Sequence, residues 1–197
     1  RQFLGGGSVA IYLTKTYPSL SIWVNDLYEP LVNFWKEIQH NGEELCTILS
    51  DLKIKHPNPD SAKDLFLESK EIINSQDKSK LERAVAFYVV NKCSFSGLTE
   101  SSSFSAQASD SNFSMRGIEK LTGYQEIIQD WKITNLSYED LLTDWRDTFI
   151  YLDPPYDIKD NLYGKSGEMH KKFDHDKFAK DCDDHTADTV SYTHLRA

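Results

Sequence analysis

The amino-acid sequence predicts an α/β fold, a doubly wound parallel sheet that is incomplete and interrupted by a mainly helical insertion. Three observations carry that expectation. Short runs rich in β-branched and aromatic residues alternate with amphipathic helical segments. A glycine triplet, Gly5-Gly6-Gly7, stands directly before the first helical pattern. A buried strand ends abruptly in Asp153-Pro154-Pro155-Tyr156.

Taken in order, Phe3-Leu4 runs into Gly5-Gly6-Gly7-Ser8 and then into a helical pattern over residues 9–15. No signal precedes them, so the chain is expected to begin inside an element of a longer protein. Residues 20–24 read as a strand closed by Asn25-Asp26, ahead of a helix on which Leu31, Phe34, Trp35 and Ile38 recur at helical spacing. A second amphipathic helix carries Leu45, Ile48, Leu49 and Leu52 on one face and stops before His56-Pro57-Asn58-Pro59, with Asp60 placed to cap the next. The chain stays mostly helical through Asn91. Residues 94–114 are then rich in serine and poor in aliphatics, the composition of a long functional loop or insertion. The alternation resumes with a short strand over 131–134, a helix over 138–145 and a buried strand over 148–152 that ends at Asp153. Residues 1–40 and 129–180 therefore group as the core and 41–128 as the insertion. Residues 181–197 form a tail of different character, because no apolar strand is apparent after Phe178 to finish the sheet.

A chain of 197 residues with 39% hydrophobic content buries a real core and favours one domain with an insertion over two independent domains. No apolar run approaches the roughly 20 residues of a membrane span. Cys46, Cys93 and Cys182 are too widely spaced for a disulfide framework or a paired-cysteine zinc site, and a reducing cytoplasm is the expected compartment. The net charge of -9 opposes a protein that coats nucleic acid along its whole surface. Residues 77–120 nevertheless hold six basic residues against five acidic ones, so the acidity lies elsewhere. The histidines and aspartates between His170 and His185 lack fixed metal-ligand spacing and read as a solvated acidic helix, so no metal is expected.

Glycine lets backbone approach a ligand closely, although a bare triplet is also an ordinary tight turn. Asp26, some 20 residues further on at the end of the second predicted strand, stands where nucleotide-binding sheets place a carboxylate on ribose hydroxyls. Its alternative reading is a helix cap. The two prolines after Asp153 stiffen the loop and remove backbone donors, leaving carbonyls free to accept. An amino group conjugated to a base is a poor nucleophile. Accepting its hydrogens at Asp153 and at the Pro154 carbonyl localises charge on nitrogen, and Tyr156 offers a ring face to a flipped base.

Phe3-Leu4-Gly5-Gly6-Gly7-Ser8, then Asn25-Asp26 with Pro30-Leu31-Val32-Asn33 and Trp35, then Asn91 with Phe95-Ser96-Gly97, and finally Asp153-Pro154-Pro155-Tyr156 together resemble the Dam-type DNA adenine-N6 methyltransferases. The resemblance covers nearly all of the chain up to about Phe178, and residues 181–197 are expected to be a non-family tail. It implies a Rossmann-like methyltransferase sheet, S-adenosylmethionine as cofactor, and duplex DNA as partner, with a cognate restriction endonuclease as a further possible one. It implies that Phe3, Gly5 and Gly7 line the methionine part of the cofactor, that Asp26 holds its ribose, and that Tyr138 lies near its adenine. Asp153, Pro154, Pro155 and Tyr156 then hold the target base, while Asn91, Lys92, Phe95, Gly97 and Arg116 face DNA. The chain has Ser96 and Thr99-Glu100 where the family often has Asn and Arg, and Ser137-Tyr138 where it has Asp-Phe. The resemblance implies a lysine-bearing segment upstream of Arg1, which this sequence does not include.

Amino methyltransferases acting on RNA or on protein glutamine share the proline loop, and the helical, serine-rich insertion favours DNA over them. A nucleotide-binding oxidoreductase explains the glycines and Asp26 but leaves residues 153–156 without a task. A third reading is a fragment that binds without turnover.

Overall fold

The computed structural model describes residues 4–95, 102–142, 149–154, 173–185 and 189–191. Its architecture is mixed and helix-rich, with two short parallel strand pairs. Helix α1 (Ser8–Thr16) leads to β1 (Trp23–Asn25) and then to the long α2 (Glu29–Lys55). Four more helices follow: α3 (Pro59–Ile72), α4 (Lys80–Cys93), α5 (Ala106–Ser111) and α6 (Met115–Ile128). The chain then returns through β2 (Lys132–Thr134) and β3 (Ile150–Leu152), and closes with α7 (His175–Asp183) and β4 (Thr189–Ser191).

Helix starts follow local chemistry. Asn58 caps α3 by accepting from the Ser61 amide at 3.0 Å, with Pro59 preset for the first turn, so Asp60 sits inside that turn and not at the cap. Ser79 and Glu82 form a reciprocal capping box on α4, and Ser105 and Ser114 cap α5 and α6. The two amphipathic helices expected before His56 are both present and abut within α2, at a kink where Asn41 leaves the helical region (φ -131°, ψ 28°). Asn41-Gly42 is a weak point for helix propagation, and Asn41 Nδ2 bonds Glu37 Oε2 at 2.7 Å. Both halves bury apolar residues, Ile38 before the kink and Leu45 and Leu49 after it.

Helix α2 packs against α4 and α6, and α3 against α4. Every residue from Ala84 to Val90 is buried, so α4 is enclosed on all sides. The main core gathers Leu4, Val24, Ile38, Leu45, Leu49, Phe66, Phe113, Ile118 and Ile133 with a ladder of rings. In that ladder Trp35 lies 6.1 Å from Trp131 and Phe34 lies 5.2 Å from Phe87. Glu29 pairs with Arg83, tying the starts of α2 and α4 together.

β1 and β2 run parallel, with Trp23 opposite Lys132, Val24 opposite Ile133 and Asn25 opposite Thr134. The Lys132 ammonium caps the Trp23 ring at 3.5 Å from its centroid. β3 and β4 make a second parallel pair, Ile150 opposite Thr189 and Leu152 opposite Ser191. The segment after Phe178, expected to hold no strand for the sheet, thus supplies one. Its three residues are too short to show a period of their own, and pairing with β3 decides them. A second apolar cluster of Tyr138, Leu152 and Phe178 lies beside this pair. Tyr138–Leu141, expected to open a helix, forms a turn closed by the Leu141 and Leu142 amides on the Tyr138 carbonyl. Among the described residues no helix is long and apolar enough to cross a membrane.

Candidate active site

The glycine loop is a turn closed by the Gly7 amide donating to the Leu4 carbonyl at 2.9 Å. Gly5 (φ 49°) and Gly7 (φ 69°) both occupy the left-handed region, which L side chains avoid. Gly7 is the N-cap of α1, so the loop feeds directly into a helix N-terminus. Trp35 lies beneath the loop. A Cβ on Gly7 would stand 2.9 Å from Trp35 Cζ2, and Trp35 Nε1 donates to the Gly5 carbonyl at 3.2 Å.

Asp26, 9% exposed, follows the last residue of β1. Its Oδ2 accepts from the Gly5 amide at 3.3 Å and its Oδ1 from the Tyr28 amide at 3.0 Å. Asp26 is not the cap of α2, since Tyr28 is its N-cap and has no side-chain cap hydrogen bond; its carboxylate instead closes a turn onto the Tyr28 amide and grips the glycine loop. Phe3 lies outside the described residues.

Asp153 and Pro154 follow β3 directly, with Leu152 buried at 1% exposure, Pro154 buried and Asp153 half-buried. Pro155 and Tyr156 lie outside the described residues. Tyr138, in the turn after β2, packs in the apolar cluster beside this second strand pair. Phe178 meets its ring edge-on at 5.1 Å, and its hydroxyl donates to Asp181 Oδ2 at 2.9 Å and accepts from Lys177 Nζ at 3.1 Å. Burial pushes the Tyr138 phenol up, and Asp181, Tyr138 and Glu139 together hold the Lys177 ammonium above its ordinary range. The structure thus joins Gly5 and Gly7 to Asp26 around β1, and carries Asp153 and Pro154 on the second pair, with Tyr138 in the apolar cluster beside it.

The expected DNA-facing residues gather in part. Asn91 and Lys92 lie in the last turn of α4, and Phe95 beyond it is 65% exposed. Arg116 is exposed in the first turn of α6. These two helix ends meet at Tyr88: the Lys92 ammonium lies 5.5 Å from its ring centroid, and a Cβ on Gly117 would approach its hydroxyl to 3.3 Å. Burial lowers the affinity of Lys92 for its proton. Gly97 lies outside the described residues.

Sequence reasoning missed Trp35 as the floor of the glycine loop, and Asn25 and Asn135 as bridges between the ends of β1 and β2. Asn135 Nδ2 donates to the carbonyls of Asp26 and Leu27 at 2.8 and 2.9 Å. Polar residues at the carboxyl ends of parallel strands were the available signal.

A family model described as D12 class N6 adenine-specific DNA methyltransferase matches residues 2–195. The match runs past the boundary at 181 that composition suggests, and includes β4. The chain is also similar to the Type II methyltransferase M.MjaIII of Methanocaldococcus jannaschii, with 24% identity over 164 residues, 78% of this chain. It spans about half (56%) of the length of that relative.

Proposed function

The chain belongs to the D12 class N6 adenine-specific DNA methyltransferase family, and from that premise we propose that it is a large part of an enzyme methylating N6 of adenine in duplex DNA from S-adenosylmethionine. The observation that carries this reading is the left-handed glycine loop hydrogen-bonded to a buried carboxylate at the end of a parallel strand. Support for a single doubly wound sheet comes from both strand pairs being parallel, β1 reaching β2 through helices and β3 reaching β4 past α7. Residues 41–128 are then the inserted recognition region between β1 and β2.

The residues fit a nucleoside cofactor. Gly5 and Gly7 hold a left-handed turn at the N-terminus of α1, close against Trp35, and Asp26 brings a carboxylate to the same loop. Phe3, Gly5 and Gly7 would hold the amino-acid part, Asp26 the ribose hydroxyls, and Tyr138 the neighbourhood of the adenine. When bound, S-adenosylmethionine supplies an electrophilic methyl group on a sulfonium. Asp153 and the Pro154 carbonyl accept the two hydrogens of the target amino group, which returns electron density to N6. Pro155 brings no amide hydrogen to compete for those acceptors, and Tyr156 stacks on the flipped base. Asn91, Lys92, Phe95, Gly97 and Arg116 contact the duplex, where phosphate contacts position the protein. The Type II designation of the archaeal relative supports a cognate restriction endonuclease sharing the same DNA site.

The test is labelled methyl incorporation into duplex DNA by the full-length protein, followed by nucleoside analysis. Asp153→Ala should lower the rate by about 10²- to 10³-fold, the scale of losing one preorganised hydrogen-bonding group, while cofactor affinity stays near the parent value. Methylated cytosine, RNA or protein as the sole product sinks the adenine reading, and full activity of Asp153→Ala sinks the mechanism.

A further inference from the structure

Where backbone pairing between β1 and β2 stops, side chains continue it. The last ladder bond runs from the Asp26 amide to the Thr134 carbonyl at 3.2 Å. Beyond it one chain turns into α2 and the other runs on toward Tyr138. Asn25, 2% exposed, reaches across this gap. Its Nδ2 donates to the Leu136 carbonyl at 2.8 Å, and its Oδ1 accepts from the Leu136 amide at 2.9 Å and the Thr134 hydroxyl at 2.8 Å. Asn135 reaches back, donating to the carbonyls of Asp26 and Leu27. A carboxamide carries donor and acceptor side by side, as a peptide group does, so Asn25 extends the ladder by one step into the other strand's exit, while Asn135 ties the β1 exit through its donor alone.

We infer that Asn25 and Asn135 form a reciprocal clasp that holds Asp26 in register with the glycine loop, making them positioning residues for cofactor binding. The hydrogen bonds form a continuous path, from Asn135 to the Asp26 main chain, and from the Asp26 carboxylate to the Gly5 amide. Without the clasp, the exits of β1 and β2 are free to separate, and the carboxylate must be ordered again on each binding event, which costs affinity. The clasp also sits at the carboxyl ends of parallel strands, where ligands bind in open α/β sheets. This inference rests on the cofactor site proposed above.

The experiment is calorimetric titration of S-adenosylmethionine into the full-length protein, its Asn135→Ala and Asp26→Ala variants, and the double variant. Asn135 is exposed, so its truncation leaves the core intact. Asn135→Ala should weaken cofactor affinity about tenfold, the scale of losing two neutral hydrogen bonds, with the KM for DNA changed less than about twofold. Because the clasp acts through Asp26, adding Asn135→Ala to Asp26→Ala should change affinity by less than about twofold. Asn135→Asp, which keeps the shape and loses the donors, should weaken binding at least as much as Asn135→Ala. Parental affinity in either Asn135 variant, or its full effect in the Asp26→Ala background, overturns the clasp. Parental affinity in Asp26→Ala alone overturns the cofactor site itself.

Discussion

Replacing Gly7 by alanine should destabilise the protein far more than the same change at Gly6, and the structure sets the scale. At Gly7 the backbone holds φ 69°, and the new methyl carbon would stand 2.9 Å from Cζ2 and 3.1 Å from Cη2 of Trp35. The left-handed conformation costs a non-glycine residue about 1–2 kcal/mol. The contact adds roughly 1–3 kcal/mol, the usual range for overpacking a filled site. Trp35 cannot swing away cheaply, because it is 4% exposed, packs on Trp131 and Tyr124, and donates to the Gly5 carbonyl. A loss of about 2–5 kcal/mol follows, a large share of the stability of a typical domain. At Gly6 no atom lies within 4 Å of the built Cβ and φ is not left-handed, so Gly6→Ala should stay within about 0.5 kcal/mol of the parent. Urea unfolding followed by tryptophan fluorescence measures both. Equal midpoints for the two variants would refute the reasoning.

Two further outcomes are expected. Hydrogen bonds from the Ser79 amide and hydroxyl hold Glu82 down to about 2, assisted by Lys78. A carboxyl lowered in the folded state stabilises above its ordinary range near 4.5 and loses that contribution as pH falls toward 2. The stability difference between the parent and Glu82→Gln should therefore be present at pH 7 and shrink through that window in acid unfolding curves. On the DNA side, Lys92→Ala and Arg116→Ala should each weaken duplex binding across sequences and reduce the slope of log affinity against log salt by about 1. An unchanged slope in both variants removes that face from the interface.

Much of this protein was legible in its sequence because the relevant forces are local. Gly5 and Gly7 mark the turn because only glycine adopts their backbone angles at little cost, whereas the cap of α3, expected at Asp60, is Asn58, two residues earlier. The strand that ends before Asp153 was legible in the same way, from its β-branched and aromatic run. Tertiary packing alone decided the rest. The two helical halves of α2 were legible from their apolar spacing, but their joining at the Asn41 kink and their packing against α4 and α6 were not. Thr189–Ser191 is a strand only because β3 offers it a partner. Nor does any nearby residue single out Asn25 and Asn135, which acquire their task when strands 109 residues apart pair in register and leave polar backbone beyond the last ladder bond. Contacts of that range depend on the whole chain closing on itself, and a carboxamide beside such a gap takes whatever backbone partner the fold presents.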